Sequence, residues 1–161
     1  MTESEVAPED RVFLVVVDET EEMHLALRFA CRRALHTGGR VALLYVIEPT
    51  GFQHWMSVGD LMREEARSEA EQLLQRMAAK VNELAGKMPI LHLRDGDRVD
   101  ELFSLLDEEA NISVLVLGAS THKRGPGPLV SALTGKHLAK LGVPLTLVPD
   151  TLTPEDIDAV S

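Results

Sequence analysis

The sequence predicts a doubly wound α/β domain, a parallel sheet covered on both faces by helices. Three observations carry that expectation. Short β-branched apolar runs recur without alternation, as strands buried on both faces do. Between them the apolar residues return at helical spacing. Glycines and prolines stand at the ends of the segments, where helices and strands stop.

The elements follow in order. Residues 11–17, RVFLVVV, form the first buried strand. From Glu21 to Thr37 the residues Met23, Leu27, Ala30 and Ala34 line one helical face, and Gly38-Gly39 end the helix. Residues 41–47, VALLYVI, repeat the buried-strand pattern, so a parallel crossover joins the two strands. A loop is expected over residues 50–59, TGFQHWMSVG, which holds the chain's one tryptophan. Asp60 to Ala85 reads as a long helix striped by Leu61, Ala66, Ala70, Leu73, Leu74, Met77, Val81 and Leu84.

Gly86 and Pro89 stop that helix, and Ile90 to Leu93 is a third strand. Asp95-Gly96 turns into a helix from Arg98 to Glu108 with Val99, Leu102, Leu105 and Leu106 inward. Ser113 to Leu117 is the fourth strand, closed by Gly118. After the loop ASTHKRGPG, Pro128 suits the first position of a helix expected to run to Leu141. Gly142 ends it, Val143 to Val148 is the fifth strand, and Thr153-Pro154 opens at most one turn of helix.

A length of 161 residues, 45% of them hydrophobic, suits one core and one domain. The expected division is a disordered acidic tail over 1–10, the folded domain over 11–150 and a polar tail over 151–161. With 26 acidic against 16 basic residues the formal charge is −10, a field that repels nucleic acid and anionic lipid. The longest apolar run, Val12–Val17, falls far short of the roughly 20 residues that a membrane helix needs. The acidic start is the reverse of a secretion signal, so the expected location is the cytoplasm. Cys31, the single cysteine, falls inside the first helix and reads as a buried hydrophobe; no cluster with metal-ligand spacing accompanies it.

In an open parallel sheet, ligands bind beyond the carboxyl ends of the strands, where the strand order reverses. The residues standing there are Asp18, Glu48, Asp95 and the loop Gly118–Gly127. A carboxylate at Asp18 can accept from a hydroxyl or an exocyclic amine. The loop brings Lys123, Arg124, Gly125 and Gly127 ahead of a helix start, a combination that suits phosphate. The same composition also describes a solvated connector, and both readings stand. No G-x-S-x-G, H-E-x-x-H, Walker loop or G-x-G-x-x-G is present, and Thr134-Gly135-Lys136 is expected inside the fourth helix. The expectation is therefore a module without catalytic residues. Phe52, Trp55 and Met56 suit a lid or a protein-partner contact.

Over Arg11 to Asp150 the chain resembles the universal stress proteins. The resemblance rests on VVVDET with Asp18, LLYVIEP, the long helix after an irregular loop, LVLGAS with Gly118, and VPLTLVP. It implies strand order 3-2-1-4-5 in a sandwich of the adenine nucleotide alpha hydrolase type. It also implies an ATP site whose signature is Gly, two residues, Gly, nine residues, then Gly followed by Ser or Thr. Gly118 matches the first position, whereas Thr121 and Ser131 replace the next two glycines and Ala132 replaces the hydroxyl residue; Thr134 supplies a nearby hydroxyl. The implied nucleotide-binding set is Asp18, Val46 at the adenine, Gly118, Thr121, Lys123, Arg124, Gly125, Gly127, Ser131 and Thr134. Its ligand is ATP or another adenine nucleotide, with Mg²⁺. The alternative is a homodimeric interaction module with a vestigial cleft. In either case the resemblance implies a homodimer through Val143 to Pro149, an otherwise exposed apolar edge.

Overall fold

The computed structural model describes residues 10–49, 52–122 and 125–161, with backbone alone over 52–58. Five strands, β1 (Val12–Val16), β2 (Arg40–Ile47), β3 (Ile90–Asp95), β4 (Ile112–Ala119) and β5 (Leu145–Pro149), form one parallel sheet of order β3-β2-β1-β4-β5. The order implied by the resemblance is the one observed. Every residue of β1 is buried, which explains why its sequence shows no alternation.

Helices α1 (Glu21–Thr37), α2 (Phe52–Ala85) and α5 (Pro154–Val160) cover one face, with Phe13, Val15, Leu43, Leu27, Leu74 and Ile157 in one cluster. Helices α3 (Arg98–Glu108) and α4 (Pro128–Thr134) cover the other, around Leu14, Leu44, Leu102, Leu105, Leu115 and Leu133. Thr20 caps α1 by accepting from the Met23 N–H, and Gly38 ends it at φ 77°. Asp97 caps α3 in the same way, its carboxylate accepting from the Asp100 N–H at 3.0 Å.

Four expectations are corrected. The segment expected as a loop is helical from Phe52, and Gly59, at φ 66° and ψ −164°, breaks α2 before the long stretch begins. The apolar stripe of α2 is buried only from Ala70 onward; Leu61 is exposed and Ala66 half-buried. The fourth helix ends at Thr134 rather than Leu141, with Gly135 outside helical geometry and a separate 3₁₀ turn over Leu138–Lys140. Thr134-Gly135-Lys136 therefore sits at a helix end, not within a helix.

The fourth correction concerns the chain end. Residues 154–160 make two turns, opened by a capping box in which Thr153 and Asp156 satisfy each other's backbone N–H groups. Ile157 is fully buried, and Asp158 takes both nitrogens of an Arg28 fork at 2.7 Å. Among the described residues no helix is long and apolar enough to cross a membrane.

Candidate functional site

Beyond the carboxyl ends of β1 and β4, at the point where the strand order reverses, the chain encloses a cavity of about 390 Å³. One rim is the β1–α1 turn with Asp18, Glu19 and Thr20. The other runs from Gly118 to Pro126, Gly127 and Pro128, while Tyr45 and Arg98 close the side toward β2 and α3. The Asp18 carboxylate and the turn beyond Gly118 thus share one crevice.

The β1–α1 turn is held by Asp18 itself. Its Oδ1 accepts from the Thr20 N–H at 2.8 Å and from the Thr20 hydroxyl, which fixes the cap of α1. Oδ2 has no hydrogen-bond partner among the described residues and is free for a ligand donor. Gly118 is required by packing. A Cβ there would lie 2.3 Å from the Glu22 carbonyl oxygen and 2.9 Å from the Met23 nitrogen, both in the first turn of α1. The missing side chain lets α1 sit directly on the end of β4 and sets the floor of the cavity.

Across the cleft, Arg98 opens α3 and is tied to Glu48 after β2. The guanidinium Nη2 stands 3.4 Å from Glu48 Oε1, and the Arg98 N–H donates to Oε2 at the same distance. Its Nε is buried and has no acceptor. Burial pushes the Tyr45 phenol above its ordinary value, so it stays protonated and able to donate. Tyr45 and Glu19 also border a second hollow of about 380 Å³ between β2 and α2, floored by Ile47, Ala66, Ala70 and Leu73.

The loop after β4 spends its donors internally. Thr121 gives both its N–H, at 3.1 Å, and its hydroxyl to Asp150 Oδ1. His122 Nε2 stands 3.4 Å from Asp150 Oδ2. The hydrogen bonds from Thr121 hold the Asp150 carboxyl below its usual range. The Ser120 N–H donates to the Pro126 carbonyl, that of Gly125 to His122, and that of His122 to the Ser120 hydroxyl. Gly125 and Gly127 adopt φ of 77° and 107°, in the positive-φ region that favours glycine.

Of the residues expected at the site, Asp18, Gly118 and Gly127 line the cavity. Val46 does not; its side chain is buried with Leu44 and Leu102 on the α3 face, and Tyr45 borders the cavity instead. Thr121 and Gly125 lie on the exposed part of the loop, Ser131 is exposed, and the Thr134 hydroxyl donates to the Val130 carbonyl at 2.8 Å. Lys123 and Arg124 lie outside the described residues, as do the side chains of Phe52, Trp55 and Met56 and the tail over 1–9. Sequence reasoning missed Arg98 and Tyr45. The one signal available for Arg98 was its place three residues after a strand end, beside a helix cap. Among the described residues no His, Cys, Asp or Glu cluster could hold a metal ion.

A doubly wound sheet of this order with a cleft at its reversal point defines a class of small ligand-cleft α/β proteins, and the comparisons name the family within it. The sequence model of the universal stress protein family matches residues 11–149. The chain belongs to the universal stress protein family. No curated protein matches the sequence. Among solved structures, universal stress protein UspA from Lactobacillus plantarum superposes with a TM-score of 0.72 at 16% identity, covering 86% of this chain and 97% of that one. The universal stress protein from Archaeoglobus fulgidus in complex with dAMP gives 0.58 at 18% identity, covering 85% and 95%. A universal stress protein in complex with cAMP gives 0.55 at 17%, covering 86% and 96%. At these identities the likeness is one of fold.

Proposed function

We propose that this universal stress protein is a binding module that takes an adenine nucleotide in the cleft between Asp18 and the Gly118–Gly127 rim. The observation that carries the reading is the shared crevice: a free carboxylate oxygen and a glycine turn face one cavity, at the position where sheets of this kind hold ligands. Asp18 Oδ2 accepts from a ribose hydroxyl or from the exocyclic amine. The complexes of two fold relatives with dAMP and with cAMP support adenine as the base. Thr20, the cavity-lining hydroxyl that donates to the Asp18 carboxylate, is committed to capping α1, and the Thr121 and Thr134 hydroxyls are engaged within the chain, so binding rather than turnover is the activity proposed.

Thermal denaturation with adenosine, AMP, ADP or ATP with Mg²⁺ tests this. A binder gains stability as ligand exceeds its dissociation constant, by about 2.7 kcal/mol at a hundredfold excess. Asp18→Ala is expected to abolish the shift. An unchanged melting temperature with all four compounds would remove the nucleotide reading.

A second reading has its own support. Because the loop donors are consumed by Asp150, Ser120 and His122, the cleft also suits an interaction module whose phosphate grip has lapsed. Under either reading the protein pairs through β5. Leu147 is exposed on that strand, which has β4 on one side only. Sedimentation at micromolar concentration is expected to show a dimer that Leu147→Asp dissociates, and a monomeric wild type would refute the seam.

A further inference from the structure

Given the nucleotide reading above, on which this inference rests, we propose that Arg98 is the anion-binding group of the cleft and that the ligand it selects is a nucleoside monophosphate. Three observations converge. Arg98 lines the cavity opposite the glycine rim, and its Nε is a buried donor without an acceptor. The buried Nε has no surface to offer a ligand, but 28% of the side chain stays exposed, so the guanidinium meets an oxyanion through its terminal nitrogens. Glu48 holds the guanidinium from one side at 3.4 Å, a long contact that orients the fork without saturating it.

The second observation concerns the opposite rim. A triphosphate needs a run of free backbone donors, and the turn after Gly118 has few to give. The N–H groups of Ser120, Thr121, His122 and Gly125 are spent within the chain and Pro126 and Pro128 have none, which leaves Gly127, Leu129 and Val130, at the uncapped start of α4, as the described donors on that rim. Asp150 occupies the Thr121 donors with a carboxylate, so the chain's own anion stands at the second position of the altered signature.

The third is charge. Among the described residues lining the cavity, Arg98 is the only cation, against Asp18, Glu19 and Glu22. Among these described side chains one guanidinium can pair with one phosphate, and further phosphates would meet Asp18, Glu19 and Glu22. The volume of about 390 Å³ also lies at the small end of ligand cavities, which run from about 300 to 1,000 Å³.

Calorimetry with adenosine, AMP and ATP with Mg²⁺ tests the inference on wild type, Arg98→Gln and Arg98→Lys. Wild type is expected to bind AMP about 10- to 100-fold more tightly than adenosine, the range of a charge-assisted hydrogen bond, and more tightly than ATP. In Arg98→Gln the AMP-over-adenosine preference should collapse toward one, with Arg98→Lys partly restoring it. Melting of each unliganded variant checks that the fold persists. A wild-type preference retained in Arg98→Gln, or ATP bound more tightly than AMP, overturns this inference while leaving nucleotide binding standing. Failure of wild type to bind any of the three removes the functional reading itself.

Discussion

Replacing Gly118 by alanine separates a packing role from a phosphate role for the first signature position. The added Cβ would meet the Glu22 carbonyl oxygen at 2.3 Å and the Met23 nitrogen at 2.9 Å. Close carbon–oxygen contacts settle at about 3.3–3.6 Å, so the backbone of α1 must retreat by about 1 Å. No rotamer change relieves this, because both obstructing atoms are main chain. Overpacking of this kind costs about 1–3 kcal/mol, and a backbone obstruction belongs in the upper half of that range. For a domain of this size each kcal/mol shifts Tm by about 2–4 °C, so Gly118→Ala should melt about 4–12 °C lower. Moving the first turn of α1 also displaces Thr20 and Asp18, so ligand binding should fall with stability. Gly142→Ala is the control, since nothing lies within 4 Å of a Cβ there and its φ is not positive; it should be neutral or gain about 0.4–1 kcal/mol. A Gly118→Ala protein that melts within 1 °C of wild type would refute the packing argument.

Ile157→Ala should cost about 2–5 kcal/mol in urea denaturation, since the side chain is fully buried between α5 and α1, while exposed Val160→Ala should stay within about 0.5 kcal/mol. A small effect at Ile157 would mean that α5 is not docked in solution. Cys31 is fully buried, and desolvation pushes its thiol up to about 12, so it should resist thiol reagents at pH 8 until the protein unfolds; stoichiometric labelling of folded protein would contradict this. Stability should fall with acid in two windows. Burial, with Lys80 nearby, lowers the His24 pKa, and burial lowers that of His92, so the unfolded chain binds more protons below about pH 6.5 and stability declines there. Asp158, held down by the Arg28 hydrogen bonds, and Asp150, held down by Thr121, are stabilising above their unfolded value and lose that contribution as pH drops below about 4. Melting curves from pH 8 to 3 check both windows, and Asp158→Asn should weaken only the lower one.

What was legible in the sequence was what depends on local pattern. The runs 12–17 and 41–47 read as strands because both faces of β1 and β2 are buried, so every position selects an apolar or aromatic residue. The fourth helix was overextended because Leu138 and Leu141 continue the apolar spacing past Thr134, although Gly135 leaves helical geometry and Leu138 is exposed. Periodicity reports where apolar residues fall; it does not report whether anything covers them. The chain end was underextended for the complementary reason. Thr153 and Pro154 announce a start, but what sustains α5 is Ile157 against the α1 face and Asp158 in the fork of Arg28, 130 residues earlier.

The same distinction applies at the site. Asp18 and Gly118 could be placed from sequence because each falls at the carboxyl end of a strand, Gly118 within the last pairs of the β4 ladder beside Val148, and strand ends converge by topology. Arg98 follows a strand end only at a distance of three residues, and what brings it to the cavity wall is the Glu48 carboxylate, fifty residues away. Asp150 as a sequence feature only follows the proline that ends β5. Once Asp150 is seen to take the Thr121 N–H and hydroxyl, the altered signature becomes one coherent change. A residue with a hydroxyl stands where a glycine would leave its amide open, and a carboxylate of the chain satisfies both donors. With the Ser120–Gly125 part of that rim closed on itself, the described groups left to meet an anion are the uncapped start of α4 and, on the α3 side, Arg98.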